Sequence, residues 1–233
     1  MFFKLNGVAR AALAVGVCGM AGSAFAADTI QIDKFVYTGT TSTYSTTIEK
    51  SDAPTYGPKW VYAGEMAGKL NGNSFQTFCA DIFQAFPGWG VAANYSLVSG
   101  STAFGATKAT DVNKLFTNWY GSATTEAKST AFQLALWEII YETGSYDLSN
   151  GNFTASSTPN GSATAAIYAD ANNMLNNLGT LGSVYTQVDV YQNADYQDFT
   201  TISTVPEPES YVLALASLGV LFGVRKIRQR AAA

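Results

Sequence analysis

Two side chains carry more chemistry than their surroundings require. One is the thiol of Cys79, in TFCADIF; the other is the carboxamide of Gln133, in AFQLALWEIIY. They are a nucleophile and an acyl carbon, the two halves of an acyl transfer. Cys79 is the only cysteine after residue 26, the other being Cys18. A body with one cysteine makes no internal disulfide. Its thiol is free, joined to another chain, buried and inert, or consumed. Gln133 shares a helical face with Leu136, Trp137 and Ile140, spaced as one stripe. A primary amide on such a face costs on the order of 1–3 kcal/mol unless it is hydrogen-bonded or chemically consumed. The ordinary outcome is a core glutamine bonded to backbone. Asp81, Glu138 and Tyr141 lie close enough in sequence to assist chemistry at either residue.

The chain has no histidine. That removes Ser-His-Asp and Cys-His catalysis and most zinc and copper sites, so no metal, no cofactor and no turnover enzyme are expected. Of the 233 residues, 47% are hydrophobic and only 13% charged, a globular composition with an uncharged, Thr/Ser/Asn/Tyr-rich surface. Residues 27–204 hold seven Lys, no Arg and fifteen Asp or Glu, a net charge of −8. Such a body is a poor partner for nucleic acid, which demands phosphate-neutralising cations.

The elements that must position these groups follow in order. Residues 29–37 and 40–48 are β-rich and separated by Gly39. Residues 59–70 and 74–83 flank Asn71-Gly72, a hairpin signal, which places Cys79 on the returning strand. Period-two counting puts Phe75, Thr77, Cys79, Asp81 and Phe83 on one face of it. Residues 95–98 read as a short strand. A helix begins at Thr110, with Val112, Leu115, Phe116 and Trp119 as its stripe. Residues 128–142 lack Gly and Pro and form the Gln133 helix, stopped by Thr143-Gly144. Residues 147–157 are a polar loop whose Asp147, Asn150 and Asn152 lack calcium-loop spacing. Residues 162–178 are a third helix with Ser162 as N-cap, and 183–191 return to strand. Strands, then helices, then strand predict an α+β fold: a mainly antiparallel sheet or partial barrel with a helical subdomain.

The ends read as targeting signals. Residues 1–26 have a basic start (Lys4, Arg10), an apolar centre and Ala24-Phe25-Ala26, a signal peptide cleaved between Ala26 and Ala27. At the other end, Pro206-Glu207-Pro208 precedes a short apolar run, 211–224, and a basic cluster, 225–230. The run is short for a full span. Triplet, hydrophobic helix and basic end, in that order, resemble the PEP-CTERM sorting signal of Gram-negative bacteria. The resemblance covers 205–230. It implies export, transient inner-membrane association through the C-terminal helix, processing by an exosortase-type enzyme, and delivery to the cell surface or an exopolysaccharide matrix. The expected organisation is signal peptide 1–26, body 27–204 and sorting signal 205–233.

Within the body, Phe78-Cys79 and the run Phe132-Gln133-Leu134-Ala135-Leu136-Trp137 resemble the paired motifs of thioester domains in bacterial surface adhesins. The resemblance spans about 60–141 and departs at position 132, where the better-known pattern has Thr. It implies that the Cys79 sulfur is joined to the Gln133 side-chain carbonyl. A surface amine or hydroxyl would then attack that carbonyl, become covalently attached and release the thiol. Phe78, Asp81, Ala135, Trp137, Glu138 and Tyr141 are the expected supporting residues. The competing expectation is a non-covalent matrix or carbohydrate-binding protein, suggested by four Trp and thirteen Tyr in a low-charge body.

Overall fold

A computed structural model describes residues 27–38, 44–52, 58–156 and 163–206. The fold is α+β, as the order of elements predicts. Six strands form a curled antiparallel sheet in the order β5-β4-β1-β6-β8-β9. They are β1 (Asp28–Phe35), β4 (Met66–Leu70), β5 (Asn73–Thr77), β6 (Ala92–Ser99), β8 (Val184–Gln192) and β9 (Phe199–Pro206). A second sheet, in the order β3-β2-β7, comprises β2 (Ser45–Lys50), β3 (Lys59–Tyr62) and β7 (Phe153–Ser156). The helices are α1 (Gly100–Phe104), α2 (Ala106–Trp119), α3 (Glu126–Tyr141) and α4 (Ala165–Asn176).

The larger sheet curls until its two edges meet. Past the end of β5 the chain pairs with β9, through a bridge between Cys79 and Phe199. Thr77 Oγ1 donates to the Thr200 carbonyl at 2.7 Å, and the Phe78 N–H donates to Thr200 Oγ1 at 3.1 Å. Cys79 therefore lies on the seam of a partial barrel. The β4–β5 turn is Asn71-Gly72, both residues at positive φ (51° and 83°), as a two-residue hairpin turn with right-handed strand twist demands.

The helix carrying Gln133 is the core itself. Ser129 to Ile140 of α3 are all buried, so the helix has no solvent face. Several of its polar side chains are satisfied by irregular backbone around it. Ser129 Oγ accepts from the Glu65 N–H at 2.7 Å, and Thr130 Oγ1 donates to the Ala63 carbonyl at 2.8 Å. Glu138 Oε1 accepts from the Asp147 N–H at 2.7 Å. The Tyr141 hydroxyl accepts from the Ile82 N–H at 3.2 Å and lies 3.1 Å from the Ala80 carbonyl. A helix buried on all sides thus holds the loops in place through its few hydroxyl, amide and carboxyl groups.

Several sequence expectations are corrected. Residues 59–70 do not form one strand. The chain breaks at 63–65, where Ser129 and Thr130 capture the backbone, and β3 and β4 enter different sheets. The strand expected to carry Cys79 ends at Thr77, and period-two alternation ends with it: Phe78, Cys79 and Ala80 are consecutive buried residues. The second helix begins at Ala106, and Thr110 is an interior residue whose hydroxyl bonds back to the Ala106 carbonyl. α3 does not end in a glycine cap. Glu142 turns extended, and its own carboxylate accepts from the Thr143 and Gly144 N–H groups. The polar loop after it contains β7, and α1 and β9 were not anticipated. α4 begins after Thr164; Ser162, the expected cap, lies outside the described residues. β9 runs on to Pro206, so the first residues assigned to the tail pair with β8. The signal peptide, Glu207, Pro208 and the apolar run lie outside the described residues. Among the described residues no helix is long and apolar enough to cross a membrane.

Candidate functional site

The pairing at the seam decides which way the Cys79 peptide groups point. The Ala80 N–H donates to the Asp198 carbonyl at 2.8 Å, and the Thr200 N–H donates to the Phe78 carbonyl at 3.0 Å. Cys79 and Phe199 are therefore a non-hydrogen-bonded antiparallel pair. In such a pair the N–H and C=O of each residue face away from the partner strand. Those of Cys79 face α3, and Gln133 meets both. The Cys79 N–H donates to Gln133 Oε1 at 3.0 Å, and Gln133 Nε2 donates to the Cys79 carbonyl at 2.9 Å. The carboxamide stands in for a missing neighbouring strand. A side-chain amide has the same donor and acceptor set as a peptide, which is why glutamine can do this.

This geometry places the acyl carbon of Gln133 beside the thiol-bearing residue and polarises its carbonyl through a backbone donor, as an oxyanion hole does. The thiol is not poised as a thiolate. Burial pushes it well above the usual thiol range, with the Asp81 and Asp198 charges adding to the effect. Its proton goes to the Asp81 carbonyl at 2.8 Å. An exposed, low-pKa catalytic cysteine is the opposite case.

The supporting residues divide into groups. Trp137, one turn beyond Gln133, is buried, and among the described residues its indole N–H has no hydrogen-bond partner. The indole lies near enough to the sulfur to favour its anion electrostatically, without hydrogen-bond geometry. Tyr141 lies at the Ala80–Ile82 turn, 3.4 Å from Asp81 Oδ1. The Asp81 carboxylate itself turns away to accept from the Phe83 and Gln84 N–H groups, so only its backbone carbonyl meets the thiol. Glu138 belongs elsewhere. It faces Asp147 on the far side of α3, and its other oxygen has no partner among the described residues. Burial, with the Glu142 and Asp147 charges nearby, raises its carboxyl to about 8. Phe78 and Phe132 are core rings with centroids 4.7 Å apart, joined by Phe116 and Tyr120, and Ala135 is buried.

A cavity of about 280 Å³ opens onto Cys79, Gln133 and Trp137. Phe35, Tyr62, Phe86 and Trp89 form much of its wall, and Gln197 contributes a carboxamide. Sequence reasoning missed this wall because its aromatics come from three separate segments. It missed Gln197, Asp198 and Phe199 because β9 was not recognised, although FTTISTV is a β-rich run. It also missed Tyr95, a buried residue whose hydroxyl has no partner among the described residues. Burial and then the Asp198 and Cys79 charges push that phenol up. Among the described residues no group of three or more Cys, Asp or Glu is placed to hold a metal ion.

No family model and no curated protein matches the chain. Among solved structures, the N-terminal domain of the Streptococcus pyogenes pilus tip adhesin Cpa is similar, with a TM-score of 0.44 and 14% identity over 70% of this chain and 95% of that one. The N-terminal thioester domain of a surface protein from Clostridium perfringens gives a TM-score of 0.40 and 15% identity, covering 69% of this chain and 99% of that one. A cysteine-to-alanine variant of a thioester domain from the same organism gives 0.41 and 12%, with the same coverage. These neighbours are thus the N-terminal domain of one pilus tip adhesin and N-terminal thioester domains of a surface protein.

Proposed function

We propose that the chain is an exported surface protein whose body is a covalent binding module, with Cys79 Sγ joined to the Gln133 side-chain carbonyl as an internal thioester. The observation that carries this reading is the reciprocal pair between the Gln133 carboxamide and the Cys79 backbone. It holds the Gln133 carboxamide against the backbone of the thiol-bearing residue, with both residues buried, which supports a near-attack geometry. Formation is balanced without an external reagent. Sγ bonds to the carboxamide carbon, the C–N bond breaks, and the thiol proton leaves with the nitrogen as ammonia. The cysteine's raised pKa suits a proton that moves with the bond and not before it. A surface amine or hydroxyl then attacks the carbonyl, acquires an acyl bond to Gln133 and releases the Cys79 thiol. The ends of the chain complete the reading: export through 1–26, then sorting by an exosortase-type enzyme acting near Pro206-Glu207-Pro208, with transient membrane retention by 211–224. Intact mass tests it. The module predicts a mass one ammonia below that of the unmodified chain, a methylamine adduct at Gln133 and a newly alkylatable Cys79. An unmodified mass with an alkylatable Cys79 overturns it.

One observation favours a second reading. Both ends of the Gln133 carboxamide are hydrogen-bonded in its intact form, so the pair is also a satisfied core contact. The aromatic cavity would then bind a matrix carbohydrate non-covalently. Retention of binding by Cys79→Ala would support this second reading.

A further inference from the structure

The cavity over Cys79 and Gln133 has a lining that specifies what enters it. None of its lining residues is Asp, Glu, Lys or Arg, and the chain has no histidine. The stretches 39–43, 53–57 and 157–162, which join the described segments, hold no charged residue either. Asp81, Tyr141 and Asp198 line a separate hollow of about 230 Å³. Among the described residues, the titratable ones lining the main cavity are Cys79 and Tyr62. Among the described residues, therefore, no general base stands where an incoming hydroxyl would lose its proton, and no carboxylate stands where an ammonium would be held.

One polar group in the wall points to a ligand. Trp137 lines the cavity, and its buried indole N–H, near the Cys79 sulfur, has no hydrogen-bond acceptor among the described residues. An indole only donates, and an ammonium has no acceptor to offer it. A free-base amine needs its lone pair for the acyl carbon, but a sugar also brings ring and hydroxyl oxygens that accept. In the wall, Phe35 and Trp89 pack edge to face at 5.2 Å and Phe86 and Trp89 at 4.7 Å, and Trp60 packs on the lining residue Tyr62 at 4.7 Å. Tyr62 and Trp89 are 46% and 39% exposed, which leaves ring surface for a ligand. A sugar ring covers such surface with its C–H face and keeps its hydroxyls at the rim.

We propose that this cavity takes its acyl acceptor as an unprotonated, weakly basic primary amine on a neutral ring, the chemistry of a 2-amino sugar in a polysaccharide, in preference to a lysine side chain or a plain hydroxyl. This rests on the thioester reading. At neutral pH about one lysine amine in 2,500 is unprotonated, whereas an amine titrating near 8 is about one-tenth free base. The body's net charge of −8 also attracts a partly protonated amino-sugar polymer. The amine nitrogen bonds to the Gln133 carbonyl carbon, and the C–S bond breaks with its electron pair passing to sulfur. The amine proton ends on Cys79 Sγ, leaving an amide and a thiol.

The test is intact-mass kinetics of the purified chain at pH 7 with methylamine, glucosamine, glycinamide, Nα-acetyl-lysine amide and glucose, each at the same total concentration. No adduct with methylamine overturns the thioester reading itself. Given a methylamine adduct, the expected result is glucosamine reacting at least about 10-fold faster than the lysine analogue and faster than glycinamide, with no glucose adduct. A lysine analogue as fast as glucosamine, or a glucose adduct, overturns the selectivity. Glycinamide matching glucosamine overturns the ring carrier and points to protein N-termini. Trp137→Phe removes the donor. With the thioester still present by mass, it is expected to cut the glucosamine rate about 5-fold more than the methylamine rate. Equal effects on the two rates overturn the role given to the indole.

Discussion

Gln133 and Cys79 are joined by two hydrogen bonds that involve only the cysteine's backbone, at 3.0 and 2.9 Å. The thiol is outside this pair and donates instead to the Asp81 carbonyl. The two residues should therefore separate in their effects. Cys79→Ala abolishes any covalent capture but keeps the backbone pair. Gln133→Ala abolishes capture and also strands a buried N–H and a buried C=O, leaving it on the order of 2–5 kcal/mol less stable than Cys79→Ala. Urea unfolding of both variants, with methylamine labelling, checks this. Equal stability losses would refute the assignment of the pair as structural.

Phe132 stands where the better-known adhesin pattern has Thr, and the structure explains the tolerance. Its ring is fully buried against Phe78, Phe116 and Tyr120, with centroids 4.7, 4.9 and 6.0 Å away. Restoring the pattern with Phe132→Thr empties that space and introduces a hydroxyl. A loss of about 3–4 kcal/mol is expected, read as a lower denaturation midpoint.

Glu138 supplies a pH dependence unrelated to capture. Its carboxyl is raised to about 8 by burial, then by the Glu142 and Asp147 charges, against the one Asp147 N–H that lowers it. A group whose folded pKa exceeds its unfolded one binds more protons when folded. Its stabilising contribution is complete below the unfolded carboxylate range and is lost as pH rises toward 8. Stability should fall from pH 5 to pH 8 by on the order of 1–3 kcal/mol, and Glu138→Gln should flatten that slope. Thermal melts of the two proteins across this range are the measurement, and an unchanged slope in the variant counts against the assignment.

Glu142 behaves in the opposite sense. Burial pushes its carboxyl up, but N–H groups of Gly144, Thr143, Asn152 and Phe153 together hold it below the ordinary range. Its contribution is present above the unfolded pKa and fades as pH falls through the folded one. Gly151 packs against that carboxylate: at φ +124° a Cβ there would lie 2.1 Å from Glu142 Oε2. Gly151→Ala should release segment 143–153 at neutral pH by about 2–3 kcal/mol, seen as faster amide exchange there than in α3.

Much of this protein was legible in its residue types. Absence of histidine, the low charge and a single body cysteine bound the chemistry before any fold is considered. The apolar, uninterrupted 128–142 run is a helix in the structure, and Asn71-Gly72 is a hairpin turn, because both depend on local backbone preference. Cys79 and Gln133 were nominated by type and by neighbouring motif residues. Their contact was not readable from strand periodicity, since the strand ends at Thr77 and Cys79 belongs to the seam with Phe199. Which way the Cys79 peptide faces depends on its antiparallel register with β9, 120 residues along the chain. The cavity wall, the unpartnered Trp137 N–H and the separation of Glu138 from the thiol arise only when separate segments close around one buried helix. Local propensity acts over a few residues; side-chain convergence is set by register and packing between segments far apart in sequence.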